Sequence, residues 1–302
     1  MAKWLKSTEQ IEFSVKDRIA RITLNRPEKR NAVSPQMRME LEAALLEADD
    51  LLDVNVIVLQ GAGKDFCAGG DLTALYAGLS EEARRLAEQE AAKYRSTAGT
   101  LDDDCWQMER AQQKVTLMFD LHKPVIAKVQ GNCLAVGTDI ALACDMVVVA
   151  DDAKIGFPAT RANGTPMCHM WYYNLGPQWA KRMLMTGDVL LGKDAARLGL
   201  VLDSAPRDEL DATVDELARR ISCVDAEMLS THKRVVNLAM ELEGVRAMQR
   251  LSAELDAKSH LSKGPRRTQF KKDMAESGLK VALKNRDEPF GDGIVKFGGA
   301  KA

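Results

Sequence analysis

Hydrophobic positions near the start of the chain repeat with two different periods, one typical of strands and one typical of a helix. Residues 11–15 and 19–24 alternate apolar and polar side chains around the polar residues 16–18, which predicts a β-hairpin. Ser34 followed by Pro35 predicts a helix start, because serine can cap free amides and proline fits the first turn. The helix then has one apolar face, formed by Met37, Leu41, Ala44, Leu45 and Ala48.

The order of the predicted elements indicates the fold class. The hairpin and helix are followed by an apolar run at residues 54–59, so the unit is ββα rather than the βαβ of doubly wound sheets. A second ββα unit is predicted around residues 125–149, and the chain is therefore α/β. Beyond residue 201 the pattern changes to amphipathic helices, whose stripes are usually core contacts. The stripes are Leu210, Val214, Leu217 and Ile221, then Val245, Met248, Leu251 and Leu255.

Two turns rich in small residues carry the chemistry that the sequence indicates. FCAGGDL at residues 66–72 and GNCLAVGTD at residues 131–139 each follow an apolar run and lead toward a helix. Free backbone N–H groups collect in such turns, and two turns facing each other could hold a carbonyl oxygen that becomes negatively charged. Asp139 would then lie within reach of the reacting carbon. Either turn alone would be a plain connection, and a phosphate loop is excluded because Gly-Lys-Ser/Thr is absent.

Composition limits the possible partners. The chain has 302 residues, enough for a sizeable core in one or two domains, with 42 Lys and Arg against 44 Asp and Glu. This balance provides no overall field for nucleic acid or an anionic membrane. Residues 3–10 are polar and no apolar stretch has membrane-spanning length, so we expect a cytosolic protein. Six cysteines without a CxxC pair predict reduced thiols and no metal site.

Five short sequences, in this order and at these separations, resemble the enoyl-CoA hydratase/isomerase (crotonase) family. They are NRPEKRNA at 25–32, FCAGGDL at 66–72, KPVIA at 123–127, GNCLAVGTD at 131–139 and ACD at 143–145. The resemblance covers residues 11–201, with a weaker match to the family, ALKNR, at residues 282–286. It implies a superhelix of ββα units in residues 1–205 and a helical C-terminal segment in residues 206–302. In that family the segment packs subunits into trimers, often paired into hexamers, so we expect a homo-oligomer.

The resemblance also implies roles for particular residues. It makes the backbone N–H groups of Ala68 and Val136 the two oxyanion donors, where the family usually has glycine at the second position. A main-chain donor survives this change, although valine narrows the pocket. Asp139 falls where hydratases of the family carry the first of two catalytic glutamates, and it could move a proton to or from water or the carbon beside the thioester. Aspartate is one methylene shorter, which sets its oxygen back by roughly 1.5 Å. The alternative is an acid that only stabilises a helix N-terminus.

The position of the second glutamate departs from the family pattern. After Gly156 and Phe157 the chain has Ala159, which cannot transfer a proton. Side chains nearby that could substitute are Arg161, His169, Tyr172 and Tyr173. Arginine could only orient or neutralise, while histidine is the best acid or base by pKa but is more often structural.

The resemblance places coenzyme A along the turn at residues 26–32 and implies a CoA thioester as the substrate carrier, with no prosthetic group. The residues it assigns to CoA are Lys29, Arg30, Ala32, Ala68, Gly69, Asp71 and Leu72. Lys284 and Arg286 could add positive charge from the C-terminal helix. Residues 76–118 are charge-rich and form either a solvated helix or a mobile cover over the acyl pocket.

Three functions remain open from the sequence. The first is hydration of an enoyl-CoA, or the reverse, with Asp139 as the lone carboxylate. The second is other chemistry on a CoA thioester, such as isomerisation, C–C hydrolysis or decarboxylation, which Ala159 favours because fewer proton transfers need fewer carboxylates. The third is a CoA-binding protein with little catalysis.

Overall fold

The computed structural model describes residues 2–73, 100–162 and 164–297. A six-stranded sheet, in the order β1-β2-β3-β4-β6-β9, forms the centre of these residues. The first two strands pair antiparallel and the others pair parallel. The strands are β1 Ile11–Lys16, β2 Ile19–Leu24, β3 Val56–Gly61, β4 Val125–Val129, β6 Met146–Ala150 and β9 Asp203–Ala205. A second sheet, in the order β5-β7-β8, contains β5 Asn132–Leu134, β7 Lys154–Gly156 and β8 Val189–Leu191.

The predicted hairpin is confirmed, with Ile11 opposite Leu24 and Lys16 opposite Ile19. Its two-residue turn places Asp17 and Arg18 at φ 52° and 64°. Two positive φ angles in a row give the turn the twist that adjacent antiparallel strands need, and aspartate tolerates this region better than most residues. The hairpin therefore fixes the edge of the sheet from which the first ββα unit starts.

The predicted first helix is also confirmed as α1, Pro35–Asp50. The Ser34 hydroxyl accepts a hydrogen bond from the Met37 amide at 3.0 Å, as expected for an N-cap. All five residues of the predicted apolar face are buried, and the helix packs on the hairpin. Burial of such a face contributes about 1.5–3 kcal/mol for each large side chain.

Eight further helices complete the described part of the chain. They are α2 Leu101–Asp120, α3 Val136–Leu142, α4 Trp171–Thr186, α5 Gly192–Leu198, α6 Leu210–Ser222, α7 Ala226–Leu242, α8 Val245–His260 and α9 Pro265–Asp287. The first of these overlaps the end of the segment at residues 76–118 that was predicted as a solvated helix or a cover, and it buries one face that includes Val115, Met118 and Phe119. The prediction for residues 76–99 lies outside the described residues.

The C-terminal helices follow the sequence prediction only in part. Helix α6 buries Leu210 and Val214 against the large sheet, so its stripe is a core contact. For α8 the core interpretation holds for Val245, which is buried, and is wrong for Leu251 and Leu255, which are 54% and 49% exposed. The face of α8 that packs on α2 is formed by smaller residues, including Ala253 and Ala257. An apolar stripe on α8 therefore faces outward.

No helix within the described residues is both long and apolar enough to cross a membrane. The described structure is a mixed α/β core followed by helices, which confirms the predicted fold class.

Candidate active site

The two predicted turns lie side by side at the ends of parallel strands. The Cys67 amide donates to the Asn132 carbonyl at 2.9 Å, and the Leu134 amide donates back to the Cys67 carbonyl at 2.9 Å. A side chain on Gly137 would place its Cβ 2.6 Å from the Cys67 carbonyl oxygen, so only glycine allows this approach. We call residues 66–72 and 131–139 together the turn wall.

The second turn contains a strained residue just before α3. Ala135 has φ 49° and ψ −121°, a conformation that L-residues rarely adopt. Its amide donates to the Gly156 carbonyl at 3.0 Å, and its carbonyl accepts the Thr138 amide. These two hydrogen bonds hold the residue in place. Such strain costs about 1–3 kcal/mol and is typical of functional sites. The turn is therefore set by its surroundings rather than by local preference.

The backbone amides of the turn wall are not equally available. The Ala68 N–H, the predicted first oxyanion donor, donates to the Arg30 carbonyl at 3.0 Å. By contrast, the N–H groups of Gly70 and Val136 donate to no acceptor among the described residues. Gly70 is not among the donors expected from the sequence. Val33 pairs with Gly70 as in a β-bridge: the Val33 amide donates to the Gly69 carbonyl, and the Asp71 amide donates to the Val33 carbonyl. Local sequence does not predict this pairing.

Asp139 is buried on α3, with a side chain held on one oxygen only. Its Oδ1 accepts from the Cys168 amide at 3.1 Å, whereas its Oδ2 has no hydrogen-bond partner among the described residues. Burial raises the pKa of Asp139 to about 7; the Cys168 amide lowers it, Asp256 raises it, and Met167 and Arg38 lower it. A carboxyl group with such a pKa can both accept and donate a proton near neutral pH.

A second segment reaches Asp139 through the Cys168 amide. It consists of residues 158–162 and 164–169, which we call the loop wall. Ala159 lies in the 3-10 helix Pro158–Arg161, and its carbonyl accepts the amides of Ala162 and Gly164. Position 159 therefore offers a methyl group and a satisfied carbonyl, and no titratable side chain.

Two of the four candidate substitutes for the second acid or base are engaged elsewhere. The Arg161 guanidinium pairs with Asp188 at 3.1 Å and Asp287 at 3.0 Å and donates to the Thr186 carbonyl at 3.0 Å. The Tyr173 hydroxyl donates to the Glu243 carbonyl at 3.4 Å. Arg161 therefore fastens the loop wall to neighbouring segments instead of facing a substrate.

The other two candidates differ in burial. Tyr172 is 49% exposed and packs edge-on against Tyr173. His169 is half-buried with φ 50°, and burial lowers its pKa although Asp256 raises it. The electrostatic partner of His169 is thus Asp256, while the Cys168 amide beside it holds Asp139.

The predicted CoA-binding residues lie next to the turn wall. Lys29 and Arg30 are exposed, and a left-handed turn at Arg30 and Asn31 brings the chain back onto residues 66–72. The buried Asn31 amide fixes this turn by donating to the Ala62 and Asp65 carbonyls at 2.9 and 2.8 Å.

Two further links join the CoA-binding turn and the C-terminal helix to the site. Asp71 pairs with Arg26 at 3.1 Å, and Arg26 also donates to the Ala32 carbonyl at 2.7 Å. Leu72 packs against a small apolar cluster of α9 that contains Phe270 and Ala282. At the predicted C-terminal positions, Lys284 is exposed, while Arg286 is buried and paired with Asp287 at 2.8 Å.

Comparisons with known proteins indicate one family along most of the chain. The model of the enoyl-CoA hydratase/isomerase family matches residues 14–276. The hydroxycinnamoyl-CoA hydratase-lyase of Pseudomonas fluorescens is 30% identical over 90% of this chain and 95% of its own length. The crotonyl-CoA hydratase of Syntrophomonas wolfei is 29% identical over 82% of this chain and 88% of its own.

Solved structures agree with these sequence relatives. An enoyl-CoA hydratase from Mycobacterium smegmatis superimposes with a TM-score of 0.84 at 36% identity, covering 95% of this chain and 96% of that one. An enoyl-CoA hydratase/isomerase from Xanthobacter autotrophicus gives a TM-score of 0.83 at 29% identity, covering 94% and 99%. The predicted crotonase-type fold is thereby confirmed.

Proposed function

The chain belongs to the enoyl-CoA hydratase/isomerase family, and from this premise we propose that it hydrates the double bond of a 2-enoyl-CoA thioester with Asp139 as its sole acid and base. The observation that carries the proposal is the buried carboxyl of Asp139, with an open Oδ2 and a pKa of about 7, beside two turns with unused amides. Hydration needs both features, because an enolate must be stabilised while a proton moves.

The thioester oxygen binds at the turn wall. Val136 supplies one backbone N–H, as the sequence predicts. For the other donor we favour Gly70 over Ala68, because the Ala68 N–H would first have to leave the Arg30 carbonyl. Negative charge that develops on the oxygen during the reaction is then met by preorganised amides, each worth about 3–4 kcal/mol in comparable sites.

Asp139 then moves the proton. Its carboxylate takes a proton from water as the water oxygen bonds to the β-carbon, and the π electrons pass through the α-carbon to the thioester oxygen. The proton on Asp139 is then returned to the α-carbon as the enolate collapses, giving a 3-hydroxyacyl-CoA. One carboxyl group suffices because it is ionised at the start and restored at the end.

Coenzyme A is held along the turn that precedes α1. Lys29 and Arg30 lie exposed at the rim, where they can meet phosphate groups. Ala32, Gly69, Asp71 and Leu72 form the adjoining surface, and Ala68 links it to Arg30. Lys284 is the C-terminal residue available to add charge, since Arg286 is paired with Asp287. The substrate carrier is CoA, with no prosthetic group.

A homotrimer or a pair of trimers accompanies this function. Apolar side chains on α7 and α8 are exposed, including Leu242 at 82% and Leu251 at 54%. Outward apolar faces of this kind are typical of subunit contacts. The cytosolic location stays a prediction.

The second candidate is other chemistry on a CoA thioester, such as isomerisation, C–C hydrolysis or decarboxylation. Ala159 favours it, because the loop wall presents no second proton carrier at that position. An isomerase would need only one group to move a proton between two carbons, which Asp139 could also do.

The test is a spectrophotometric assay of the conjugated thioester. Purified protein is incubated with crotonyl-CoA, hex-2-enoyl-CoA and a cyclic enoyl-CoA, and loss of absorbance is followed. We expect turnover of at least one ester, and a fall in kcat/KM by about 10²–10⁴ in Asp139→Asn. Asp208→Asn, at an exposed carboxylate before α6, is the matched control and should leave kcat/KM unchanged.

Two results would count against the proposal. Full activity of Asp139→Asn would remove Asp139 as the acid and base. Absence of turnover with every enoyl ester, combined with tight binding of CoA thioesters, would leave the second candidate or a CoA-binding protein with little catalysis.

A further inference from the structure

The carboxyl group of Asp139 is held by a peptide that belongs to no regular element. This peptide joins Met167 and Cys168 in the loop wall, and neither a strand nor a helix includes residues 164–169. Its N–H, on Cys168, donates to the Asp139 Oδ1 at 3.1 Å. The orientation of the peptide therefore depends on its contacts with other parts of the chain.

The carbonyl of the same peptide accepts a hydrogen bond from a side chain of α2. The donor is Nε2 of Gln112, and among the described residues the Met167 carbonyl accepts no other hydrogen bond. A peptide unit is planar and its C=O and N–H point in opposite directions, so it turns as one body. Because Gln112 fixes the direction of the carbonyl, it also fixes the direction of the N–H that holds Asp139.

The Gln112 side chain is itself fixed by the packed helices. It is buried, and its Nε2 also donates to the Gln249 carbonyl of α8 at 2.6 Å. An amide nitrogen carries two hydrogens, and these two carbonyls use both of them. Helix α2 packs along α8 and contacts α3, the helix that carries Asp139. Gln112 thus connects the loop wall to helices whose positions do not depend on that loop.

A glutamine suits this place because its amide donates two hydrogen bonds without carrying a charge. An apolar side chain of similar size would leave the Met167 carbonyl without its donor. A buried carbonyl in that state is costly, so the peptide would turn toward another partner. That turn would take the Cys168 N–H away from the Asp139 Oδ1.

We propose that Gln112 is a positioning residue for the proton transfer, acting on the Asp139 carboxylate through the Met167–Cys168 peptide. The inference rests on the proposed function for the role of Asp139 as acid and base. Since both hydrogens of the Gln112 amide are used within the protein, loss of this side chain should lower kcat and leave KM nearly unchanged.

The position of Gln112 also predicts a change in the titration of Asp139. A hydrogen bond from an N–H to a carboxylate favours the charged form, so weakening it raises the pKa of the carboxyl group. Other titratable groups that act on Asp139 are Arg38, Asp256 and the thiols of Cys133 and Cys168. All of them remain in variants of Gln112, and a shift of the midpoint then reports on the peptide.

The test compares Gln112→Met, which has no donor, with Gln112→Asn, which keeps the amide on a shorter side chain. Infrared difference spectra follow the C=O band of the protonated Asp139 carboxyl, identified by its absence in Asp139→Asn. In Gln112→Met we expect the midpoint to rise by about 0.5–1 pH unit. With a hydrated enoyl ester, kcat should fall about tenfold and KM should stay within about twofold. Gln112→Asn should show smaller changes, and Gln113→Met, at the exposed neighbour on α2, should show none.

A second measurement uses the protein with Gln112 in place. Hydrogen bonds in a chain polarise one another, so ionisation of Asp139 should shift the ¹⁵N and ¹H signals of the Gln112 side-chain amide. We expect one pair of glutamine side-chain signals to titrate with the infrared midpoint of Asp139. The titration of this pair should disappear in Asp139→Asn.

The outcomes separate positioning from a purely structural role. An infrared midpoint that stays at the wild-type value in folded Gln112→Met and Gln112→Asn would overturn the inference, even if kcat or stability falls. If neither variant folds, the glutamine signals decide: a titrating pair supports the inference, and its absence overturns it.

The infrared titration also separates this inference from the proposed function, because it requires no turnover. A raised midpoint in Gln112→Met would support the action of Gln112 on Asp139 even if no enoyl ester is hydrated. Normal hydration with an unchanged midpoint would overturn the role of Gln112 and leave the proposed function intact.

Discussion

The turn wall and the loop wall of the site are built in different ways. The turn wall is made of main chain, with Cys67 and Leu134 bonded across the two turns and Gly137 in close contact. The loop wall is held by side chains, above all by Arg161 and its bonds to Asp188 and Asp287. Backbone geometry can therefore keep a carbonyl-binding site when side chains change, whereas a proton carrier depends on one side chain and is lost when that residue is alanine.

Loss of Arg161 from the loop wall should change stability more than any other substitution considered below. Arg161→Met removes a buried cation and its three charge-assisted hydrogen bonds, and it should lower the free energy of unfolding by about 3–5 kcal/mol. Asp188 and Asp287 keep Arg182 and Arg286 as partners. The variant's kcat/KM should change much less, because Arg161 makes no contact that the reaction requires. Denaturant unfolding and the absorbance assay measure the two quantities. Arg219→Met, at an exposed pair, is the control and should unfold like the wild type. A large loss of kcat/KM without loss of stability would contradict the structural role.

The next prediction concerns the pH dependence of kcat/KM, which distinguishes a site with one proton carrier from a site with a second one in the loop wall. Because Asp139 must be ionised to accept a proton, kcat/KM should fall about tenfold per pH unit below a midpoint near 7. A second basic group in the loop wall would add another limb to the profile. A midpoint near 4 would show that Asp139 is not the titrating group.

The same pKa predicts the pH dependence of stability. Since the folded pKa of about 7 lies above the usual value, the native state binds the proton more tightly. The contribution of Asp139 to the free energy of unfolding is fully present below about pH 4. It is lost as pH rises through 7, by up to about 4 kcal/mol. Subtracting the profile of Asp139→Asn isolates this contribution. A difference that does not change between pH 4 and 8 would contradict the raised pKa.

A fourth prediction tests the close spacing of the two turns. In Gly137→Ala the new Cβ would meet the Cys67 carbonyl at 2.6 Å, so the main chain must shift. We expect a loss of about 1–3 kcal/mol in stability and roughly a tenfold fall in kcat/KM as the amides move. Gly264→Ala, where the Cβ would have only an ordinary contact at 3.6 Å, is the control. Wild-type kinetics in Gly137→Ala would show that the spacing of the turns is not critical.

The smallest effect concerns the residue at which the chain departs from the usual glycine. Val136→Gly keeps the amide that donates and removes only the side chain, so kcat/KM should change by less than about threefold. The measurement is made with both crotonyl-CoA and hex-2-enoyl-CoA. A large loss with both esters would mean that the Val136 side chain, and not its N–H, carries the role.

Local sequence was sufficient for much of the fold and for part of the site. The hairpin, the capped helix at Ser34 and the paired turns follow from short-range patterns and a family resemblance, and the structure has them in place. The outward stripe of α8 was misjudged, because amphipathic spacing does not say which of two faces meets the core. In α8 small residues pack on α2 and the leucines remain outside.

The remaining parts depend on contacts between distant residues. The bond from Ala68 to Arg30 arises from a neighbouring turn 38 positions earlier in the sequence. Arg161 is tied to Asp287 across 126 positions, and the Cys168 amide donates to Asp139 across 29 positions. No local pattern predicts such pairs.

The most direct test of the paired turns is the carbonyl stretch of a bound thioester. Infrared difference spectra of hexanoyl-CoA, with and without ¹³C at the thioester carbonyl, report on that oxygen alone. We expect the stretch to shift to lower wavenumber on binding and the shift to shrink in Gly137→Ala. An unshifted band in the bound complex would contradict the role of the two turns in holding the carbonyl.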